Sequence, residues 1–117
     1  MSHPVHPGRI LRDEFLVPRD LTQVELAKRI GVSFPRINEL VNGKRGVTVD
    51  TALRLARLFG TTPQYWLNLQ RDYDLAAALA GSLENIRRIE PLGAASEARV
   101  RWWPAAASDT DKKHSAG

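Results

Sequence analysis

Residues 22–42 read TQVELAKRIGVSFPRINELVN. They hold two short helical patterns joined by a three-residue turn. Thr22 suits an N-cap, and Glu25 three residues later completes a capping box. Leu21 before the cap and Leu26 after it form a hydrophobic staple. Gly31 supplies the left-handed residue that ends the first helix. The pattern then repeats, with Val32 and Ile37 as the staple and Ser33 as the cap. Pro35 sits in the first turn, where a missing N–H is harmless, and Asn42-Gly43 ends the second helix. Two helices joined by so short a turn cross steeply, which predicts a helix-turn-helix.

The second helix has an inward stripe of Ile37, Leu40 and Val41 at i, i+3, i+4. Phe34, Pro35, Arg36, Asn38, Glu39 and Asn42 are left to face outward, and Lys44 and Arg45 follow. Exposed helix faces are commonly filled with Glu, Lys and Ala. This face instead carries residue types that read base edges: Arg for guanine, Asn for adenine, Glu for the cytosine amino group. An ordinary exposed helix would fit the composition about as well. The capped, tight turn favours DNA.

The rest of the chain sets limits. Its 117 residues suffice for one domain with a modest core, and 43% hydrophobic and 26% charged residues are ordinary for a globular protein. Cysteine is absent, so neither a disulfide nor a cysteine metal site can form. No apolar run reaches membrane-spanning length and the N-terminus lacks a signal-peptide core, so a cytoplasmic protein is expected. Most of the net charge of +4 lies with the helix-turn-helix half. Residues 1–46 hold eight Lys or Arg against five Asp or Glu, a balance of +3, whereas residues 47–92 hold five of each.

Before this motif, His3 and His6 have no third metal ligand nearby and read as a frayed terminus. Pro7 starts a helix to about Val17, with Ile10, Leu11, Phe15 and Leu16 as its apolar face and Pro18 as its stop. After the motif, Gly43–Gly46 is a basic loop able to cradle phosphate. Thr48 caps a fourth helix in which Val49, Ala52, Leu53, Ala56 and Phe59 read as core. Thr62-Pro63 opens a fifth and longest helix, to about Ala80. Trp66, Leu69, Tyr73, Ala76 and Ala80 form a coiled-coil-like stripe on it, and Leu75 and Leu79 a second flank. That flank faces either a partner or the next helix. A dimer interface through Trp66, Leu69, Tyr73, Leu75 and Leu79 is the expectation. Ser82 and Asn85 are expected to cap a short last helix to Ile89. Residues 1–92 therefore read as an all-α domain, and residues 93–117 as a tail rich in Ala, Ser, Gly and Pro. Within the tail, residues 98–103, ARVRWW, suggest a contact segment, because two tryptophans are costly to leave in water.

No catalytic constellation, metal motif or cofactor motif appears, so an enzyme is not expected. HPGRILRDEFL, LTQVELAKRIGVSFPRINELVNGKRGVT and ALRLARLFGTTPQYWLNLQRDYDL together resemble the HigA-type antitoxins of the phage-repressor-like (Xre) helix-turn-helix family. The resemblance spans roughly residues 6–92. It implies a five-helix domain with a short sixth helix, a homodimer on a palindromic operator in double-stranded DNA, autorepression, and neutralisation of a HigB-like mRNA-cleaving toxin. By position in the motif it places Gln23 on phosphate and turns Ser33, Phe34, Pro35, Arg36, Asn38 and Glu39 to the major groove. Lys44 and Arg45 are expected on phosphate because they flank the recognition helix, and Asn42 is expected at the DNA from its place on the outward face. Phe34-Pro35 departs from the polar residues usual there. A stand-alone Xre-type regulator, or a protein-binding antitoxin with weak or lost DNA binding, remains the alternative.

Overall fold

The computed structural model describes residues 4–92. Among these all regular structure is helical, as expected: α1 (Pro7–Ile10), a π-helical stretch (Leu11–Leu16), α2 (Gln23–Ile30), α3 (Phe34–Val41), α4 (Val49–Phe59), α5 (Pro63–Ala80) and α6 (Glu84–Arg87). The chain divides into one compact unit ending at Leu83 and a second beginning at Glu84, which contains α6.

The caps read from sequence are in place. The hydroxyls of Thr22, Ser33, Thr48 and Thr62 accept from the backbone N–H of Glu25, Arg36, Thr51 and Tyr65. Each satisfies one of the N–H groups that a helix start leaves unpaired. Gly31 and Gly60 close α2 and α4 with left-handed φ of 73° and 77°.

The first helix is not a plain α-helix to Val17. It turns π-helical at Leu11, and the N–H of Val17 donates to the carbonyl of Arg12 five residues back, at 2.9 Å. The wider turn puts Leu11 and Leu16, five apart, on one buried face. Its start is also not frayed. His6 is the N-cap, its Nδ1 accepting from the N–H of Gly8 at 2.9 Å. The imidazole packs edge-on against Tyr73 of α5, with ring centres 4.8 Å apart.

The core is formed chiefly by Leu11, Leu26, Ile37, Leu40, Leu55 and Trp66. In this unit α3 packs against both α1 and α2, α2 also meets α4, and α5 lies on α1 and α4. The α1–α3 crossing has no room for a side chain at residue 8. A Cβ built on Gly8 falls 1.8 Å from the carbonyl oxygen of Leu40. Phe15, Phe59, Tyr65 and Trp66 form an aromatic cluster, with Arg19 over the Phe15 and Phe59 rings at 5.4 and 5.2 Å.

Three expectations need correction. In α4 the buried face is Thr51, Ala52, Leu55 and Ala56, whereas Val49 and Leu53 are 61% and 52% exposed. This face buries Ala52, Leu55 and Ala56 and tolerates Thr51, although polar, because its oxygen is hydrogen-bonded inside. Its hydroxyl receives bonds from Arg36 Nη2 at 2.8 Å and Thr48 Oγ1 at 3.2 Å. In α5, Trp66 is buried in the protomer and cannot line a dimer interface. Its indole N–H donates to Thr61 Oγ1 at 2.8 Å and its ring packs on Phe15 and Tyr65. The last helix is a single turn ending at Arg87, not Ile89, and Asn85 accepts from Arg88 rather than acting as a cap. His3 and the 98–103 segment lie outside the described residues.

Two outcomes test this packing. Gly8→Ala should cost about 3 kcal/mol, because backbone on two helices must separate. That lowers the melting temperature by roughly 10–20 °C, and a change of only a degree or two would refute the close crossing. The second concerns His6, whose pKa lies below the ordinary 6.5 because burial disfavours its charged form, partly opposed by Asp74. The unfolded chain therefore takes up the proton first as pH falls. Stability from His6 should be complete above pH 6.5 and decline as pH drops from there towards the lower folded value. Urea titrations between neutral and mildly acidic pH should show this decline flattened in His6→Gln.

Candidate nucleic-acid interface

A surface helix can read DNA only if it is held rigidly from behind and carries polar groups in front. Both conditions are built from the stretch at residues 22–46. The turn of Gly31, Val32 and Ser33 separates α2 from α3. The N–H of Val32 returns to the carbonyl of Ala27 at 3.0 Å, which closes the turn tightly. Behind α3, Ile37, Leu40 and Val41 are buried as the periodicity predicts.

A second brace comes from α4. Arg54 Nη1 donates to the carbonyl of Ile30 at 2.7 Å, satisfying an acceptor at the C-terminal end of α2. Its Nε donates to Asp50 at 2.9 Å, and Asp50 also receives Arg36 Nη2 from α3 at 3.2 Å. The Asp50 carboxyl is held below its usual range, first by the bond from Arg54 and then by Arg36. One carboxylate on α4 thus joins the end of α2 to the first turn of α3.

The outward side chains are ordered among themselves. Asn42 Nδ2 donates to Asn38 Oδ1 at 3.1 Å, and Asn38 Nδ2 donates to Gln23 Oε1 at 3.0 Å. Gln23, at the first position of α2, and Asn38, mid-way along α3, therefore share one amide chain across the two helices. Glu39 accepts from Arg45 Nε at 2.9 Å and Nη2 at 2.8 Å. Lys44 is exposed and forms no ion pair among the described residues. Ser33 is committed to its cap, Pro35 is exposed, and Phe34 is 43% exposed at the start of α3.

Of the expected site residues, the structure links Gln23, Asn38 and Asn42 in one chain and Glu39 with Arg45 in another. Arg36 does not stand free on the outward face; its Nη2 donates to Thr51 and Asp50 of α4. The basic loop is positioned from the far side by α5. Gln70 Oε1 accepts from the N–H of Val47 at 2.8 Å, and Gln70 Nε2 donates to Asp74 at 2.9 Å. A Cβ on Gly46 would lie 3.0 Å from the Gln70 amide carbon, so glycine lets the loop end against it. Arg54, Thr51 and Gln70 carry no local signal in sequence. Their partners lie 15 to 24 residues away. Among the described residues no His, Asp or Glu group could hold a metal, and no helix is long and apolar enough to cross a membrane.

The geometry matches known proteins. A family model described as helix-turn-helix matches residues 11–66. The chain is 55% identical over 74 residues to virulence-associated protein I of Dichelobacter nodosus, spanning 63% of this chain and 68% of the relative. It is 36% identical over 99 residues to antitoxin HigA-1 of Vibrio cholerae, spanning 84% of this chain and 92% of the relative. Among solved structures, the Pseudomonas aeruginosa antitoxin HigA with the higBA promoter aligns with a TM-score of 0.73 at 47% identity. That alignment covers 78% of this chain and all of the other.

Proposed function

Because the chain belongs to the HigA-like branch of the phage-repressor-like helix-turn-helix family, we propose that it is a sequence-specific DNA-binding autorepressor and the antitoxin of a HigBA-like toxin–antitoxin module. The observation that carries this reading is the α2–α3 pair itself, capped at each start, braced by Arg54, and presenting an ordered amide chain outward. The solved structure of its relative HigA, at 47% identity, is with the higBA promoter. Binding, not catalysis, is the function, and the cytoplasm is its place.

Residues 1–92 carry DNA binding and dimerisation in this proposal, and residues 93–117 form a tail with a contact segment at 98–103. A homodimer places its two α3 helices in successive major grooves of an inverted repeat, with half-site centres roughly 34–36 Å apart. The dimer surface is on α5, centred on Leu75, 42% exposed, and half-buried Leu79, with the half-buried Leu69 and Tyr73 bordering it where they pack on the core and His6. Gln23, Lys44 and Arg45 contact phosphate. Phe34, Pro35, Asn38, Glu39 and Asn42 face the groove, with Asn38 suited to adenine N6 and N7. Arg36 has a different role, because reaching a base would cost its bonds to Thr51 and Asp50. It holds the start of α3 on α4. The protein partner is a HigB-like mRNA-cleaving toxin.

The functional test is a gel shift on DNA upstream of the gene together with growth rescue from a co-expressed neighbouring toxin frame. Retarded operator and restored growth are expected; failure on both counts refutes the reading. The residue roles separate on operator and scrambled DNA across a salt series. Lys44→Ala should weaken both DNAs alike and lower the salt slope by about one per protomer, roughly two for the dimer. Asn38→Ala should cost roughly 1–3 kcal/mol on operator and relax preference at one base pair per half-site. Arg36→Ala should weaken both DNAs alike while lowering the melting temperature. Loss of preference at a single base pair in Arg36→Ala would instead make it a base reader.

A further inference from the structure

Beside the C-terminal end of α2, α4 helps to line a side of the domain to which no DNA contact is assigned, although Asp50 and Arg54 there also brace α3 and α2. That side carries an open depression of about 520 Å³ floored by Ile30, Leu53 and Leu58 and rimmed by Arg29, Arg54 and Arg57. A second depression, of about 250 Å³, shares Arg29 and Leu58 with the first and extends to Arg19, Leu21 and Phe59. Together they make one groove with an apolar floor and four arginines. Asp50 is the one carboxylate along it, and that carboxylate is already occupied by Arg54 and Arg36. Arg29 and Arg57 form no ion pair among the described residues.

Leu53 is the informative residue. Its spacing in α4 resembles a core position, yet it stands 52% exposed in the groove. A leucine set beside Arg29 and Arg57, which form no ion pair among the described residues, serves neither the core nor solubility. Apolar surface of this kind, rimmed by charge, is characteristic of a site for another macromolecule.

We propose that this groove docks an acidic amphipathic helix of a protein partner. Leucine-type side chains would lie on Leu53, Leu58 and Ile30, and carboxylates would pair with Arg29 and Arg57. Charge complementarity selects the occupant, because guanidinium groups take carboxylates in paired hydrogen bonds and a helix lays its apolar stripe into such a groove. A nucleic-acid backbone would satisfy the arginines but leave the apolar floor without a partner. The groove is also set apart from the phosphate-contacting end of α2. Arg29 lies six residues beyond Gln23, about 9 Å along the helix axis. The inference is therefore independent of operator binding.

The test uses the full chain, isotope-labelled, titrated with a blocked synthetic peptide of about four helical turns, with Leu on one face and Glu on the other. Saturable shifts are expected at Ile30, Leu53 and Leu58, with at least about tenfold weaker binding for Arg29→Glu/Arg57→Glu. Leu53→Gln, a change at an exposed position, should weaken the peptide similarly and leave the operator gel shift and melting temperature unaltered. It gives a reading even if the double charge reversal fails to fold. Equal binding of a peptide with Lys in place of Glu would overturn the proposal. So would shifts confined to other surfaces, perturbation of the groove by duplex DNA alone, or a change in solution mass with Leu53→Gln, which would make the groove a contact between copies of this chain.

Discussion

The close crossing of α1 over α3 at Gly8 is the constraint on which the rest of the domain depends. A Cβ there would lie inside the Leu40 carbonyl, so the two helices meet backbone to backbone. The contact fixes the C-terminal end of α3 from behind, while Ile37, Leu40 and Val41 fill the space between neighbouring helices. His6 then caps α1 and lies on Tyr73, which ties the helix start to α5. A helix of eight residues has little stability alone. Its rigidity comes from these neighbours, and rigidity is what lets its outer face be a recognition surface.

That face is ordered without a ligand. Gln23, Asn38 and Asn42 satisfy one another, and Glu39 holds Arg45. Such pairing lowers the conformational entropy lost on binding, because the side chains already share a geometry. It also sets a threshold: a DNA sequence must offer better partners than the amides and the ion pair already have. Lys44 has no ion-pair partner to give up, which suits it to a contact common to all sequences.

Arginine has three different uses on this small surface. Arg54 is structural, closing the C-terminal end of α2. Arg36 links α3 to α4 through Thr51 and Asp50. Arg29 and Arg57 remain unpaired beside exposed Leu53, and in the proposal above they face a protein rather than DNA. Composition alone gives the same sign of charge to all four; only their partners separate the roles.

The division between sequence and tertiary structure follows the range of the forces involved. Caps, turns and the periodicity of α2 and α3 act within four or five residues, so Thr22, Glu25, Gly31, Ser33 and the Ile37–Leu40–Val41 stripe could be read from the chain in isolation. The helix-turn-helix followed from them, and the quoted motifs led to the family. The rotation of α4 could not be read, because the bond that satisfies buried Thr51 comes from Arg36, 15 residues away, and the face that also carries Ala52 and Leu55 is the one that packs, leaving Val49 and Leu53 outward. Trp66 has the stripe position of an interface residue, and only the packing of Phe15 from the first helix shows it to be core. The π-helical turn, the His6 cap on Tyr73 and the fit of Gly8 to Leu40 belong to the same class. Each depends on which groups distant in the chain are brought within a few ångströms, and steric exclusion and hydrogen bonding at that range exist only once the helices have packed.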